Sequence, residues 1–266
     1  MTTTGRLLGV LLVSLAAVAA AVATASAQQP AAPAYVPTLP LAPPPPAGMP
    51  SSLAAVPGSM APAPIRVVLS EVVEPKFREA VLTVARKPTI STRGFSPDVV
   101  TTSAVYDWLL AHPDRVALAW RRMKVPCVEI VDSGNGVFTW ADGEGSELTW
   151  QTVGRFPDGV IWYATGKVKP SVLTPSIPIR AVVVMHSPKR PGKDSTVIVS
   201  PSLQAFLHTD SKAANVVLRM LGPTAPQIAE QGADQLLLFF SGVARYVQAH
   251  PEKADALLAP AVKKGQ

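Results

Sequence analysis

The spacing of apolar residues changes along this chain, and that change limits the folds that are open to it. From Val125 to Thr209 the apolar residues recur with a period of two, which is typical of strands with one buried face. Before Val125 and again after Asp210 the period is close to 3.6, which is typical of helices. Helices therefore stand on both sides of a run of strands. We predict an α+β fold in which the strands form one sheet.

Consecutive hairpins are expected within the period-two region. The turn at Phe156-Pro157-Asp158-Gly159 has a proline that presets the backbone and a glycine that permits a sharp exit. Strands joined in this way form an antiparallel meander, and a short strand around TISTRG (residues 89–94) would bring the sheet to six or seven strands. The six predicted strands cover residues 126–131, 136–141, 147–156, 159–168, 177–186 and 196–208.

Helix boundaries follow from prolines and capping residues. Ser96-Pro97-Asp98 predicts a helix start, and Pro113 predicts a break that divides this segment into two helices. The longest predicted helix opens at Thr224 and ends near His250, and its LLLFF run (residues 236–240) covers the whole circumference. We expect this helix to be buried on most sides. Further helices are predicted at 75–87, 211–222 and 252–258.

The first 64 residues differ in composition from the rest. Arg6, an apolar run to about Ala23 and the small residues Ala25-Ser26-Ala27 predict a secretory signal peptide over residues 1–27, with an uncleaved membrane anchor as the alternative. Residues 28–64 contain twelve prolines and no charged residue, which predicts a disordered spacer rather than a packed unit. We therefore expect an exported protein, periplasmic or secreted, with a single domain over residues 65–266.

The charge balance limits the partners. Arg6 is the only charged residue before position 65, so the remaining 202 residues carry 23 basic and 18 acidic groups. That excess suits an anionic envelope surface but is too small for a nucleic-acid footprint, so we expect no nucleic acid partner. Cys127 is the only cysteine. It lies in the strand-like run VPCVEIV and is expected to pack as a small buried hydrophobe.

The acidic stretch from Asp142 to Glu147 is the first candidate for a metal site. As an EF-hand loop it would have Glu147 at the position that needs glycine and Val153 at the position that needs a bidentate glutamate. Alternating apolar residues flank it on both sides, so we interpret it as a hairpin tip. The four histidines show no metal-ligand spacing, and we predict no metal, no cofactor and no catalytic residue.

Aromatic residues form the most informative pattern. If the strands pair as sequential hairpins, three tryptophans share one face of the sheet, against the LLLFF helix. They either belong to a packed core or line a cavity for an apolar ligand. The residues of this candidate site are Trp140, Trp150, Trp162, Leu236, Phe239 and Phe240.

The order of elements over about residues 74–250 resembles the helix-grip fold of the START-like superfamily. The resemblance rests on element order and the apolar final helix, because this superfamily has no diagnostic motif. It implies a curved sheet wrapped round that helix, usually enclosing a pocket for lipid, sterol or another hydrophobic molecule. This chain departs in its export signal, its proline-rich spacer and its additional helix after residue 210.

Three functions remain open at this point. The first is an exported, non-enzymatic domain that holds a hydrophobic small molecule or lipid between sheet and helix. The second is an envelope structural or interaction protein with a solid core, positioned on an envelope surface by the spacer. The third is a cavity-based hydrolase or cyclase-like enzyme that uses His186, His208 and Asp210; no acid, base and nucleophile stand at readable spacing, so the sequence favours a protein without enzymatic activity.

Overall fold

The computed structural model describes residues 67–169, 176–211 and 224–260. The predicted signal peptide (1–27) and spacer (28–64) lie outside these residues, as does nearly all of the helix predicted at 211–222. The helices are α1 (Leu69–Val72), α2 (Pro75–Arg86), α3 (Ser103–Ala111), α4 (Pro113–Arg122), α5 (Thr224–Ala249) and α6 (Ala254–Leu258), with a 3₁₀ turn at Pro251–Lys253.

Ten strands are formed by the described residues. They are β1 (Ile90–Phe95), β2 (Val99–Thr101), β3 (Val131–Asp132), β4 (Val137–Ala141), β5 (Glu147–Phe156), β6 (Gly159–Val168), β7 (Ile177–His186), β8 (Lys189–Pro191), β9 (Val197–Val199) and β10 (Ser202–His208). Seven of them make one antiparallel sheet in the order β1-β10-β7-β6-β5-β4-β3, and β2, β9 and β8 make a smaller sheet. The predicted antiparallel sheet of an α+β fold is confirmed.

The large sheet is covered on both faces. Its inner face packs on α3, α4 and α5, and its outer face packs on α2 through Val81 and Val84, which are fully buried. The predicted burial of α5 is confirmed, because Leu236, Leu237, Phe239 and Phe240 are all at most 5% exposed. Leu238 is the exception at 50% exposed. The sheet therefore wraps a long C-terminal helix that carries the densest apolar run of the chain.

A bulge in β5 joins the sheet to the N-terminal helices. The register between β5 and β6 shifts between Thr152 and Gly154, and Val153 packs in the outer cluster while Trp150 packs in the inner one. Gly154 forms an isolated antiparallel β-bridge with Val73, and a Cβ at Gly154 would lie 2.9 Å from the carbonyl oxygen of Val72. Glycine is needed here for close approach of two backbones.

The helix predicted to start at Ser96 begins later. Residues Val99–Thr101 form β2 because they pair with Val197–Val199, a partner distant in sequence. Helix α3 starts at Ser103, where the Thr102 hydroxyl accepts a hydrogen bond from the Val105 N–H over 3.2 Å. The break between α3 and α4 at His112-Pro113 is as predicted.

Two predicted strand boundaries are wrong. Of residues 126–131 only Val131 is in a strand, and β3 pairs with just two residues of β4. Pro126 has no N–H to contribute to a ladder, so the segment before β3 is irregular. The predicted strand 196–208 is divided at Ser200-Pro201 into β9 and β10, which belong to different sheets.

Candidate functional site

A small apolar cavity lies between the inner face of the sheet and α5. Its volume is about 50 Å³. The walls come from the three strands β5, β6 and β7, the start of α4 and the middle of α5. They are made by Pro113, Leu148, Trp150, Trp162, Ala164, Ala181, Val183, Leu236, Phe239 and Phe240. The lining carries no charged side chain, and the indole N–H groups of Trp150 and Trp162 are its only side-chain hydrogen-bond donors.

Two alanines explain why space remains there. Ala164 on β6 and Ala181 on β7 are register partners, and Trp150 on β5 is the next residue in the same row. The row therefore presents two single methyl groups to α5 where larger side chains would reach the helix. The cavity exists because the side chains at these two positions are too small to fill the space below α5.

Aromatic rings line the cavity on both sides, Trp162 from the sheet and Phe239 and Phe240 from α5. Trp162 and Phe240 stack with their ring centroids 5.5 Å apart and their planes 26° apart. Phe239 meets Phe240 edge to face, with centroids 4.9 Å apart. These are favoured aromatic geometries, so the rings are held by each other as well as by burial.

The tryptophan of α4 fixes the position of α5 above the sheet. The Trp120 indole N–H donates to the backbone carbonyl of Phe239 over 2.9 Å. A Cβ on Gly242 would lie 2.5 Å from Cζ2 of the same indole ring. The two helices can approach this closely because residue 242 has no side chain.

Five of the six residues predicted for the site line this cavity, and Trp140 does not. Trp140 is 4% exposed and packs in the same inner core. It also lines a separate open groove of about 510 Å³ beside β3 and β4, together with residues such as Glu129 and Thr149. The structure thus brings Trp150, Trp162, Leu236, Phe239 and Phe240 together and leaves Trp140 at the side.

Sequence reasoning missed the other half of the lining. The small residues Ala164 and Ala181 create the space, but this role can be recognised only when the register of β6 on β7 is known. Pro113 was interpreted only as a helix breaker. Leu148 and Val183 lie on the inner face, as the period-two pattern of β5 and β7 indicates.

The polar residues of the enzyme hypothesis are not brought together at this cavity. His208 and Asp210 are in contact, with 2.9 Å between Nε2 and Oδ1, and Arg180 also bonds Asp210. His186 lies six residues from Arg180 on β7, roughly 20 Å away along an extended strand. None of these groups is among the residues that line the cavity.

The stretch from Asp142 to Glu147 is the tip of the β4–β5 hairpin, as predicted. Ala141 pairs with Glu147, and Gly143 and Gly145 have positive φ values of 75° and 113°. The Asp142 Oδ1 accepts hydrogen bonds from the N–H groups of Glu144 and Ser146, at 2.7 and 2.9 Å. Its carboxylate is therefore used to close the turn.

Cys127 departs from its predicted environment. It is half-buried, lies outside any strand and packs at the margin of the inner core. Burial raises the pKa of its thiol to about 11, against a smaller opposing effect of Arg121. The thiolate is the nucleophilic form, and burial keeps this thiol protonated near neutral pH.

In residues 67–169, 176–211 and 224–260, no three His, Cys, Asp or Glu side chains are grouped as a metal site would need. No helix in those ranges is both long and apolar enough to cross a bilayer.

Comparisons with known proteins give distant structural likenesses. No protein-family model matches the sequence, and no curated protein matches it. A conserved protein from Geobacillus kaustophilus is similar in structure, with a TM-score of 0.39 and 12% identity over 59% of this chain and 97% of that one.

Two further solved structures are similar at lower scores. An uncharacterized protein from Rhizobium leguminosarum has a TM-score of 0.27 and 14% identity over 57% of this chain and 98% of that one. Norcoclaurine synthase from Thalictrum flavum has a TM-score of 0.26 and 13% identity over 56% of this chain and 87% of that one. At these scores the likenesses carry no argument about activity.

Proposed function

We propose that this domain binds a small hydrophobic molecule between its sheet and α5. The observation that carries the proposal is the cavity itself, an apolar space between the sheet and α5 lined by Trp150, Trp162, Leu236, Phe239 and Phe240. Burial of apolar ligand surface in such a site is favourable, and the ligand needs no charged group to bind there. The proposed class of protein is a START-like binding domain, in line with the order of its elements.

The size of the cavity limits what can enter it. Its 50 Å³ compares with a share of about 30 Å³ for one water molecule in the liquid, and with about 150 Å³ for an engineered cavity that takes benzene. A ligand of a few heavy atoms fits the cavity as it stands. A lipid chain or a sterol requires the stacked rings of Trp162 and Phe240 to move apart.

We also propose where the domain acts. A signal peptide over residues 1–27 would export it, and the charge-free, proline-rich residues 28–64 would hold it away from the envelope surface. A chain expressed with its signal in a bacterial host, fractionated and sequenced from its N-terminus, tests this. A mature start at Gln28 in the periplasm supports export, and retention in the cytoplasm with Met1 overturns it.

Native mass spectrometry of residues 28–266, produced through a secretory pathway, is the first experiment. We expect a mass above that of the bare chain, lost when the protein is denatured and extracted into organic solvent. The purified protein is then exposed to chloroform, an apolar probe of four heavy atoms, and separately to benzene and to a phospholipid mixture, both of which require the stacked rings to move apart. If the protein retains no excess mass and takes up none of the probes, the proposal is overturned.

Filling the cavity gives a test that separates binding from folding. Ala181→Val adds two methyl groups at the floor of the cavity, where Ala181 faces α5 across free space. We expect the variant to fold with equal or greater stability and to lose uptake of the probe. The matched control is Ala205→Val, at a buried alanine of β10 that does not line the cavity. It should lower stability by overpacking, and its residual folded fraction should still bind.

The small volume favours one alternative, an envelope interaction protein with a solid core. Under that alternative Trp162→Ala costs roughly 3–5 kcal/mol of unfolding free energy, as for any large core residue, and no ligand is ever retained. Recruitment to a wall or membrane fraction would then depend on residues 28–64. Deleting those residues and measuring the bound fraction distinguishes the two functions, because ligand uptake by the domain does not require them.

A further inference from the structure

The first strand of the large sheet has a free edge. Among the described strands, β1 pairs with β10 only, and it is the outermost strand of the sheet. The Ser96 N–H donates to the Pro201 carbonyl over 3.0 Å at the end of this ladder. Hydrogen-bonded pairs alternate in antiparallel strands, so the N–H and C=O groups of Ser91, Arg93 and Phe95 point away from β10. Within the described part of the chain no strand takes up these groups.

An open groove of about 720 Å³ follows this edge between β1 and α5. On the β1 side it includes all of Ser91 to Phe95, and on the α5 side it includes Glu230 and Asp234. Phe95 is 58% exposed, which is unusual for a ring of this size at the end of a strand. The groove thus combines unpaired backbone, an exposed aromatic ring and two carboxylates.

The two carboxylates have no ionic partner within the described part of the chain. Glu230 and Asp234 are exposed, stand one helical turn apart and form no salt bridge with any described residue. Helix α5 packs on the inner face of β1, because a Cβ on Gly94 would lie 2.9 Å from the Cβ of Ala233. The acids therefore lie on the side to which Thr92 and Gly94 point, opposite to the side of Arg93 and Phe95.

We propose that the free edge of β1 is a docking site for an extended, basic peptide segment of a partner protein. The segment adds to the sheet as a further strand, bonded to the backbone of Ser91, Arg93 and Phe95. Alternate side chains of such a strand face α5, and lysine or arginine at those positions reaches Glu230 and Asp234. Apolar side chains at the intervening positions lie beside Phe95.

Two other occupants fit the groove less well. A second copy of this chain paired through β1 would bring Thr92 and Gly94 to the acids and would place Arg93 against its own counterpart. Residues 28–64 of the same chain carry no charge to meet the acids, and their twelve prolines lack the N–H groups that a ladder needs. Charge complementarity therefore favours a basic partner segment over either of these two occupants.

The probe for this site is the labelled peptide Thr-Lys-Val-Lys-Val-Lys-Thr, titrated with residues 28–266 and followed by fluorescence anisotropy. We expect saturable binding that weakens as salt is raised from 50 to 300 mM, because the ion pairs are exposed. The same peptide with glutamate in place of lysine should not bind. Binding of both peptides alike, or of neither at millimolar concentration, overturns the proposal.

Backbone methylation tests strand addition directly. Only every second residue of an added strand directs its N–H toward β1. N-methylation of the three lysines and N-methylation of the two valines should therefore have opposite effects, one abolishing binding and the other leaving it within about threefold. Equal effects of the two modifications would show that the peptide is held by charge alone and would overturn the proposed mode.

A charge-matched pair of variants locates the site. Glu230→Gln with Asp234→Asn should weaken binding about tenfold, the order expected for two exposed ion pairs. Glu144→Gln with Asp255→Asn removes the same charge from exposed positions elsewhere and should leave the affinity unchanged. Equal weakening by both pairs overturns the site. A dimer in sedimentation that Arg93→Pro dissociates would also overturn the proposal, because a second copy of the chain would then occupy the edge.

Discussion

The indole N–H of Trp120 donates to the main-chain carbonyl of Phe239 over 2.9 Å, and the ring continues past that bond to lie over Gly242. This contact joins α4 to α5 directly above the cavity. It holds the helix that carries Phe239 and Phe240 at a fixed height over the sheet. The depth of the space between sheet and helix depends on it.

Gly242→Ala should destabilise the protein although it lies in a helix. Glycine in a helix interior is normally worth about 0.5–1 kcal/mol less than alanine, so the change would ordinarily be favourable. Here the new Cβ would lie 2.5 Å from the Trp120 ring, and overpacking of this kind costs about 1–3 kcal/mol. Urea unfolding measures the loss. In a Trp120→Ala background the penalty of Gly242→Ala should largely disappear, and an undiminished penalty would contradict the proposed clash.

Tyr106→Phe should leave the stability unchanged or raise it by up to about 1 kcal/mol. Tyr106 is fully buried, its hydroxyl has no hydrogen-bond partner among the residues that the structure describes, and burial raises its pKa far above the ordinary value. An unpaired buried hydroxyl carries a desolvation cost that phenylalanine avoids. Thermal and urea unfolding give the answer, with Tyr246→Phe at a half-buried site as the control. A loss above 1 kcal/mol would mean that the hydroxyl is paired.

Arg122→Gln should loosen the C-terminal end of the domain. The Arg122 Nη1 donates to three carbonyls, those of Ala256, Leu257 and Ala259, at 2.9, 2.7 and 2.8 Å. This guanidinium closes the end of α6, where carbonyls are otherwise unpaired. We expect about 1–2 kcal/mol of lost stability, reduced from the usual value by solvent.

Hydrogen exchange separates a local effect of Arg122→Gln from a global one. Amides of residues 254–260 should exchange faster than those of the β6–β7 ladder in the variant. The neighbouring Arg121→Gln removes only an exposed pair with Glu129 at 3.6 Å and should change stability by less than 0.5 kcal/mol. Uniform acceleration across the domain would contradict a local closing role.

Asp142→Ala should lower stability in a manner that depends on pH. Partial burial raises the pKa of Asp142, but hydrogen bonds from Ser146 and from the backbone of Glu144 outweigh it, so the net shift is downward. A carboxyl whose pKa is lower in the folded state stabilises it above the unfolded pKa of about 3.9, and the contribution is lost as the pH falls through the folded pKa. The gap between wild type and variant should be about 1 kcal/mol at pH 7 and should narrow as the pH falls below the unfolded pKa.

The matched control at the same hairpin is Glu144→Ala, which removes a neighbouring carboxylate that accepts no hydrogen bond in the turn. Its stability should stay within 0.5 kcal/mol of wild type across the same pH range. A gap that persists for Asp142→Ala at pH 2 would show that the side chain acts through packing.

The sequence was sufficient for the elements whose signal is local. The period-two pattern located β5, β6 and β7 to the residue, and the proline at 113 located the break between α3 and α4. It failed where a distant partner decides the structure. Residues 99–101 are a strand only because residues 197–199 lie beside them, and nothing in Ser96-Pro97-Asp98 indicates that pairing.

The candidate site was predictable on one side only. The spacing of the large apolar residues on β5, β6 and α5 predicts that they face the interior, and five of the six predicted residues line the cavity. The space itself depends on the absence of volume at Ala164 and Ala181. Small residues in a strand carry no such signal until the register places them side by side opposite a helix.

The pairing of β1 with β10 also sets the order in which the domain can be completed. Ile90 aligns with Leu207, so the first strand to be synthesised has to wait for the last one before it has any neighbour in the sheet. Closing so long a segment is slow, and the waiting strand is exposed to wrong partners meanwhile. A partial chain that ends before β10 leaves β1 without its partner in the described sheet, so this sheet is completed only after β10 is available.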